Sequence, residues 1–140
     1  MKTYTHTLTI RIHDVDAAGI VFFAQYLFLF HDVYESFLAG IGHSIPKAIN
    51  EGNYIIPIKK VAAEYHRPMY HGETITGELW LSELRGSSFT TVTKFIGADQ
   101  VVRATITTIH VCVGTGTMKP IALPGDLRTA LADYLSANPK

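Results

Sequence analysis

Asp14, Asp16 and Gly19 form a short polar turn that runs straight into an apolar segment, Ile20–Phe30. Between Gly19 and Ala24 there is no Ser, Thr, Asp or Asn to cap a helix starting there, so its first N–H groups are left for some other acceptor. A carboxylate beside such donors is a useful pair. The carboxylate can activate water or attack a carbonyl carbon itself, while the N–H groups and the positive end of the helix stabilise the oxyanion that develops. Asp16 is the candidate carboxylate, Gly19 lets the backbone approach a bound molecule closely, and the backbone N–H of Phe23 is the candidate donor. Asp16 equally suits a plain turn role, its carboxylate bonded to local N–H groups. Asp14 reads as structural, a turn former or a partner for Arg11 or His13.

The elements around this turn must hold it. Residues 3–12 alternate, with Tyr4, His6, Leu8, Ile10 and Ile12 on one face and threonines and Arg11 on the other, the pattern of a half-buried strand. From about Phe22 to Ala39 the chain reads as a helix whose polar residues fall on a narrow stripe, Gln25, Asp32 and Ser36 with His31 and Glu35 beside it. A helix apolar nearly all round must be enveloped. Gly40 is placed to end it, and Ser44 with Pro46 opens a short helix through about Asn50. Tyr54–His66 is extended, with Pro57 forcing an edge or bulge near its start. Strands follow at Glu73–Leu84, with Gly77 a bulge or bend, at Ser88–Ile96, and at Gln100–Val113. A final helix spans about Asp126–Ala137, with Leu127, Leu131 and Leu135 on one face. Short connections between strands imply antiparallel neighbours, and threonine at alternate positions implies one wet and one core face. The expected class is α+β, a curved antiparallel sheet wrapped around one long central helix. Long edge strands tend to pair, so a symmetric homodimer is expected.

Composition narrows the function. The 140 residues suit one domain, 1–140, and 47% apolar content supports a real core. A formal net charge of zero argues against a general nucleic-acid binder, though a local basic site for an anion remains open. One cysteine, Cys112, excludes an internal disulfide and fits a cytoplasmic location. The N-terminal stretch has no apolar h-region, and Ile20–Phe30 is too short to span a bilayer, so no membrane association is expected. Seven histidines show no ligand spacing of the H-E-x-x-H kind, and neither a metal nor a cofactor is expected. Cys112 sits in a β-branched strand as a small core residue. No Gly-x-Ser-x-Gly elbow is present.

The run Asp14-Val-Asp16-Ala-Ala-Gly19-Ile-Val-Phe-Phe, followed by Tyr26 and the apolar helix, resembles the D-x-D-x-x-G-[IV]-V-[FYW] signature of hotdog-fold acyl-CoA thioesterases of the 4-hydroxybenzoyl-CoA thioesterase type. The resemblance covers essentially the whole chain, and Tyr65-His-Arg-Pro and Gly86-Ser-Ser-Phe89 look like further family segments. The Asp-Ala-Ala-Gly-Ile-Val-Phe-Phe run with Ala24 is also similar to the subgroup that hydrolyses 1,4-dihydroxy-2-naphthoyl-CoA in quinone biosynthesis. The resemblance implies the hotdog fold, an acyl-CoA substrate, a site at a dimer interface, and Asp16 as the catalytic carboxylate. It leaves open whether Asp16 acts as nucleophile or general base.

Phe23 and Tyr26, nearest the turn, are the best candidates to line an acyl pocket, and the other helix aromatics suit the core. CoA is anionic, so a neutral chain must meet its phosphates locally. Lys59, Lys60, Arg67, Arg85, Lys94 and Arg103 are available, with Arg85, Ser87 and Ser88 grouped at a turn rich in N–H and hydroxyl donors. Arg67 equally suits pairing with Glu64 or Glu73. The expectation is a thioesterase for an aromatic acyl-CoA, at least a homodimer and expected as a homotetramer. The alternatives are a short- or medium-chain acyl-CoA thioesterase and a non-catalytic acyl-CoA-binding module. A hydratase of the same fold is disfavoured, because no His stands at the start of the helix.

Overall fold

The computed structural model describes residues 2–136. Five strands make one antiparallel sheet in the order β1-β4-β5-β6-β3, where β1 is Tyr4–Thr9, β3 Ile58–Tyr65, β4 Thr74–Leu84, β5 Ser88–Gly97 and β6 Val102–Val111. A separate two-stranded ribbon joins β2, Tyr54–Ile55, to β7, Val113–Gly114. Helix α1, Gln25–Gly40, lies across the concave face, with α2, Ile45–Glu51, and α3, Gly125–Ala132, at one end. This is the hotdog arrangement expected from the sequence.

Period-2 burial fixes the register. Ile75, Leu79 and Leu81 of β4, Phe89 and Phe95 of β5, and Ala104 and Ile106 of β6 all point to the core. Helix α1 answers with Tyr26, Leu29, Phe30, Val33, Tyr34, Phe37 and Leu38, an i, i+3, i+4 stripe. Gly77 is not a bulge. It pairs in register with His6 and Phe95, and a Cβ there would come within 2.6 Å of Val33 Cγ2. The glycine is needed because α1 crosses the sheet so closely at that point. The shift in β4 register falls instead between Leu81 and Glu83.

Several boundaries differ from expectation for local reasons. The helix begins at Gln25, three residues past Phe22, because residues 20–22 are tied into bridges and bonds with the loops on either side. Pro57 splits the extended stretch into β2 and β3, and its carbonyl still accepts from Val111 N–H at 3.0 Å. The last helix stops at Ala132, and Leu135, partly exposed, bridges to Leu81 of β4. The expected end at Ala137 lies outside the described residues.

The largest difference concerns α1, which this chain envelops on one side only. Phe23 and Phe28 are 63% and 68% exposed, with Phe22 and Leu27 beside them. They form an apolar patch next to β3, an edge strand whose residues are almost all exposed.

Candidate functional site

Asp14 and Asp16 face different surroundings. Asp14 is 3% exposed; one carboxylate oxygen accepts from Arg11 N–H at 2.7 Å and the other from the Gln25 side-chain amide at 2.9 Å, with His13 Nε2 at 3.6 Å. It joins the end of β1 to the first residue of α1, the structural role expected of it. Asp16 is exposed at the tip of the turn. Its Oδ1 accepts from Ala18 N–H at 2.8 Å, so the local turn bond is real, and among the described residues no bond engages its other oxygen. Gly19 adopts φ +81° and donates to the Asp16 carbonyl at 2.9 Å, and Asp16 N–H returns to the Ile20 carbonyl. A left-handed residue is required to close this loop.

The chain then passes Phe22 and Phe23 into α1. Phe22 N–H is bonded to the Asp14 carbonyl and Gln25 N–H to the Phe22 carbonyl, but among the described residues no acceptor meets the N–H of Phe23 or Ala24. The N-cap residue, Ala24, has no side chain to supply one. Two donors therefore stand open at the positive end of the helix.

Asp16, Phe23, Tyr26 and Arg67 line one cleft of about 420 Å³ together with Phe22, Tyr65, His66 and Pro68. Four sequence candidates thus meet there, and Gly19 closes the turn at its edge. Burial pushes the Tyr26 hydroxyl up, partly offset by the Met69 backbone. Arg67 has no acidic partner among the described residues, because Glu73 is taken by Arg103. Arg103, offered by the sequence as a phosphate contact, is buried instead. Its guanidinium binds Glu73 and Asp99, and its carbonyl accepts from the N–H groups of His66 and Arg67 at 2.8 and 3.0 Å. It holds the 66–68 wall of the cleft from behind. The Val101 N–H and the Arg103 guanidinium hold the Asp99 carboxyl below its ordinary range.

Arg85, Ser87 and Ser88 do not reach this cleft within one chain. They sit at the β4–β5 turn, where Ser88 begins β5 and Gly97 ends it beside the start of β4. That separation is about 30 Å along an extended strand. Arg85 pairs there with Glu83 at 3.0 Å. Sequence reasoning missed the part played by Tyr65. Its hydroxyl donates to the Phe23 carbonyl at 2.9 Å and its ring packs edge-on against Tyr26 at 4.8 Å. The signals were a tyrosine ending an extended stretch just before the Pro68 break, and its place in the Tyr65-His-Arg-Pro segment that resembles the family.

The thioesterase-like superfamily matches residues 10–131. A 1,4-dihydroxy-2-naphthoyl-CoA hydrolase of Synechococcus elongatus is 34% identical over 129 residues, covering 91% of this chain and 94% of the relative. The enzyme of that name from Synechocystis is 27% identical over 134 residues, covering 95% and 97%. The crystal structure of a 1,4-dihydroxy-2-naphthoyl-CoA thioesterase from Synechocystis superposes with a TM-score of 0.89 at 26% identity, over 94% of this chain and 97% of that one. A Staphylococcus aureus protein solved with CoA shares the fold, with a TM-score of 0.88 at 20% identity over 95% and 84% of the two chains. With its fold, its turn and the open helix end in agreement, the chain belongs to the thioesterase-like superfamily.

Proposed function

We propose that this protein hydrolyses an aromatic acyl-CoA thioester to the free acid and CoA, with 1,4-dihydroxy-2-naphthoyl-CoA as the first candidate substrate, and that it acts in the cytoplasm as one thioesterase unit of the 4-hydroxybenzoyl-CoA thioesterase type. The observation that carries this is the cleft lined by both Asp16 and Phe23, with the N–H groups of Phe23 and Ala24, acceptor-free among the described residues, at the adjoining end of α1. A thioester carbonyl seated at those N–H groups is polarised before attack. Asp16 then either adds to the carbonyl carbon or takes a proton from water that does. In the first route the tetrahedral oxyanion collapses with loss of the CoA thiolate, and water cleaves the resulting anhydride. In the second the oxyanion collapses directly to acid, and the proton held by Asp16 goes to the departing sulfur. Both routes need the same two donors. Names of relatives 34% and 27% identical over nearly the whole chain support the substrate.

A second copy completes the site in this proposal. An eight-residue edge strand, β3, beside the exposed Phe23, Leu27 and Phe28 favours a symmetric pair joined along β3. Antiparallel pairing of β3 with its copy sets the Ile58 end of one chain beside the Tyr65 end of the other. In the register of the sheet Ile58 stands opposite His110, and Ser88 opposite Val111. The partner's turn carrying Arg85, Ser87 and Ser88 thereby comes to the end of the dimer where Asp16 lies, within range of the pantetheine and phosphates of CoA. Thiol release from dihydroxynaphthoyl-, hydroxybenzoyl-, benzoyl-, hexanoyl- and palmitoyl-CoA tests the function. The highest kcat/KM is expected for an aryl thioester. A straight-chain optimum would remove the aryl assignment, and no release from any thioester would remove the enzyme.

A further inference from the structure

A second concavity of about 380 Å³ lies among α1, α2, α3 and the Tyr54–Ile58 segment. This cavity and the Asp16 cleft have no lining residue in common and are separate within one chain. Its walls are largely aliphatic, with Ile45, Ile56 and Leu127 among them, and its size suits a small ligand. Four polar side chains break the apolar lining, His31, Tyr34, His43 and Tyr54; His31 Nδ1 is taken by Glu35 at 2.7 Å and His43 Nε2 lies 3.9 Å from Asp126, which leaves the two tyrosines. Tyr34 is 3% and Tyr54 7% exposed, both line the cavity, and neither hydroxyl has a hydrogen-bond partner among the described residues. Among the described residues the enclosed side-chain atoms that lack partners are Thr93 Oγ1 and His110 Nδ1, so the two phenol oxygens keep open surface, and both tyrosines line the cavity. Tyr34 is also held rigidly, its ring stacked on His110 at 4.4 Å and on Phe30 at 5.8 Å.

We infer that this cavity is a binding site for a hydroxylated aromatic group of one or two rings, whose hydroxyl or carbonyl oxygens pair with Tyr34 and Tyr54. An aliphatic chain would fill the walls equally well but would leave both phenols unpaired, which is costly in a desolvated site. A ligand that is flat, mostly apolar and bears ring hydroxyls satisfies walls and phenols together. The choice of a naphthoic acid as ligand rests on the function proposed above, whereas the cavity and its unpaired hydroxyls do not. The group has two sources. It is the acyl part of a thioester held at the Asp16 cleft of a neighbouring copy, or it is the free aromatic acid binding on its own.

Calorimetric titration of the intact protein with 1-hydroxy-2-naphthoic acid, 2-naphthoic acid and octanoic acid tests the inference. The hydroxylated acid is expected to bind about ten-fold more tightly than 2-naphthoic acid. Tyr34→Phe or Tyr54→Phe is expected to erase most of that preference without weakening 2-naphthoic acid. Ala48→Phe, which adds a ring to the cavity wall and keeps both tyrosines, is expected to abolish binding of all three. Folding of each variant is checked by its unfolding midpoint. KM for the aryl-CoA separates the sources. A rise in parallel with the acid's Kd places the acyl group in the cavity, while an unchanged KM assigns the cavity to the free acid. Equal affinities for the hydroxylated and plain acids, or binding indifferent to both tyrosines in folded variants, overturns the inference. In that event thiol release by the wild type still upholds the function. Conversely, tyrosine-dependent binding without any thiol release leaves the cavity standing and removes the function.

Discussion

Asp14 and Asp16 stand two residues apart, and burial divides their labour. The first is sunk into hydrogen bonds that fix the start of α1, while the second keeps one carboxylate oxygen unengaged over the cleft. Asp14→Asn should therefore behave as a stability variant. It turns one acceptor toward a donor and costs about 1–3 kcal/mol in denaturant unfolding, with activity lost only as folding is lost. A second residue carries a pH signature. His110 is fully buried, its Nε2 bonded to Thr108 Oγ1 at 2.7 Å and its Nδ1 without a partner among the described residues. Burial pushes its pKa down from 6.5 to about 3, with His31 a lesser cause. Below about pH 6.5 the unfolded chain takes up a proton that the folded chain refuses until about pH 3. The associated stability is complete above that window and is lost as pH falls through it, on the order of 5 kcal/mol in all. Urea midpoints measured from pH 7.5 to 4 should fall more steeply for the wild type than for His110→Phe, and parallel curves would refute the assignment. The sequence showed His110 on a strand but could not show that its ring is walled in by Tyr34 and Phe89. Those contacts join residues far apart in the chain.

At the scale of elements, α1 is aimed by contacts at two of its points. Val33 lies against Gly77, where a methyl group would collide at 2.6 Å, so Gly77→Ala should cost about 1–3 kcal/mol by overpacking. Val33→Ala should recover part of that loss in a double-mutant cycle, because the two sites touch. At the N-terminal end the Tyr65 hydroxyl holds the Phe23 carbonyl, and with it the peptide that leads to the open Ala24 N–H. Tyr65→Phe should lower kcat by about five- to ten-fold at nearly constant KM, with little change in unfolding midpoint. A KM effect alone would assign Tyr65 to binding. The elements were legible because their signals are local. Alternation gave the strands, Ser44 gave the cap of α2, which accepts from Lys47 N–H at 3.3 Å, and Pro57 gave a break. Gly77 was misread because a glycine in a strand marks either a bulge or a close approach, and only the packed helix distinguishes them.

The whole molecule shows what one chain leaves unfinished. The sequence demanded a fully enveloped helix, and the fold covers half of it, with Phe23, Leu27 and Phe28 left beside the open edge of β3. The demand is met if a second copy supplies the other wall. The motif around Asp16 could be read directly, because all its parts lie within a dozen residues. The distance of Arg85, Ser87 and Ser88 from it could not, since it follows from which ends of β5 face which turns. Val61→Lys, at the middle of β3, should shift the species seen in light scattering toward monomer and lower activity with it. An intact oligomer in Val61→Lys would show that another surface joins the copies. Hydrolysis at the end of α1 depends on the Asp16 carboxylate in the proposed reaction, and the decisive measurement is kcat for 1,4-dihydroxy-2-naphthoyl-CoA with wild type and Asp16→Asn at matched oligomeric state. A loss of about 100-fold or more, with KM little changed, is expected if the Asp16 carboxylate attacks or activates water at the open end of α1. Undiminished turnover by Asp16→Asn would show that the Asp16 carboxylate neither attacks nor activates water.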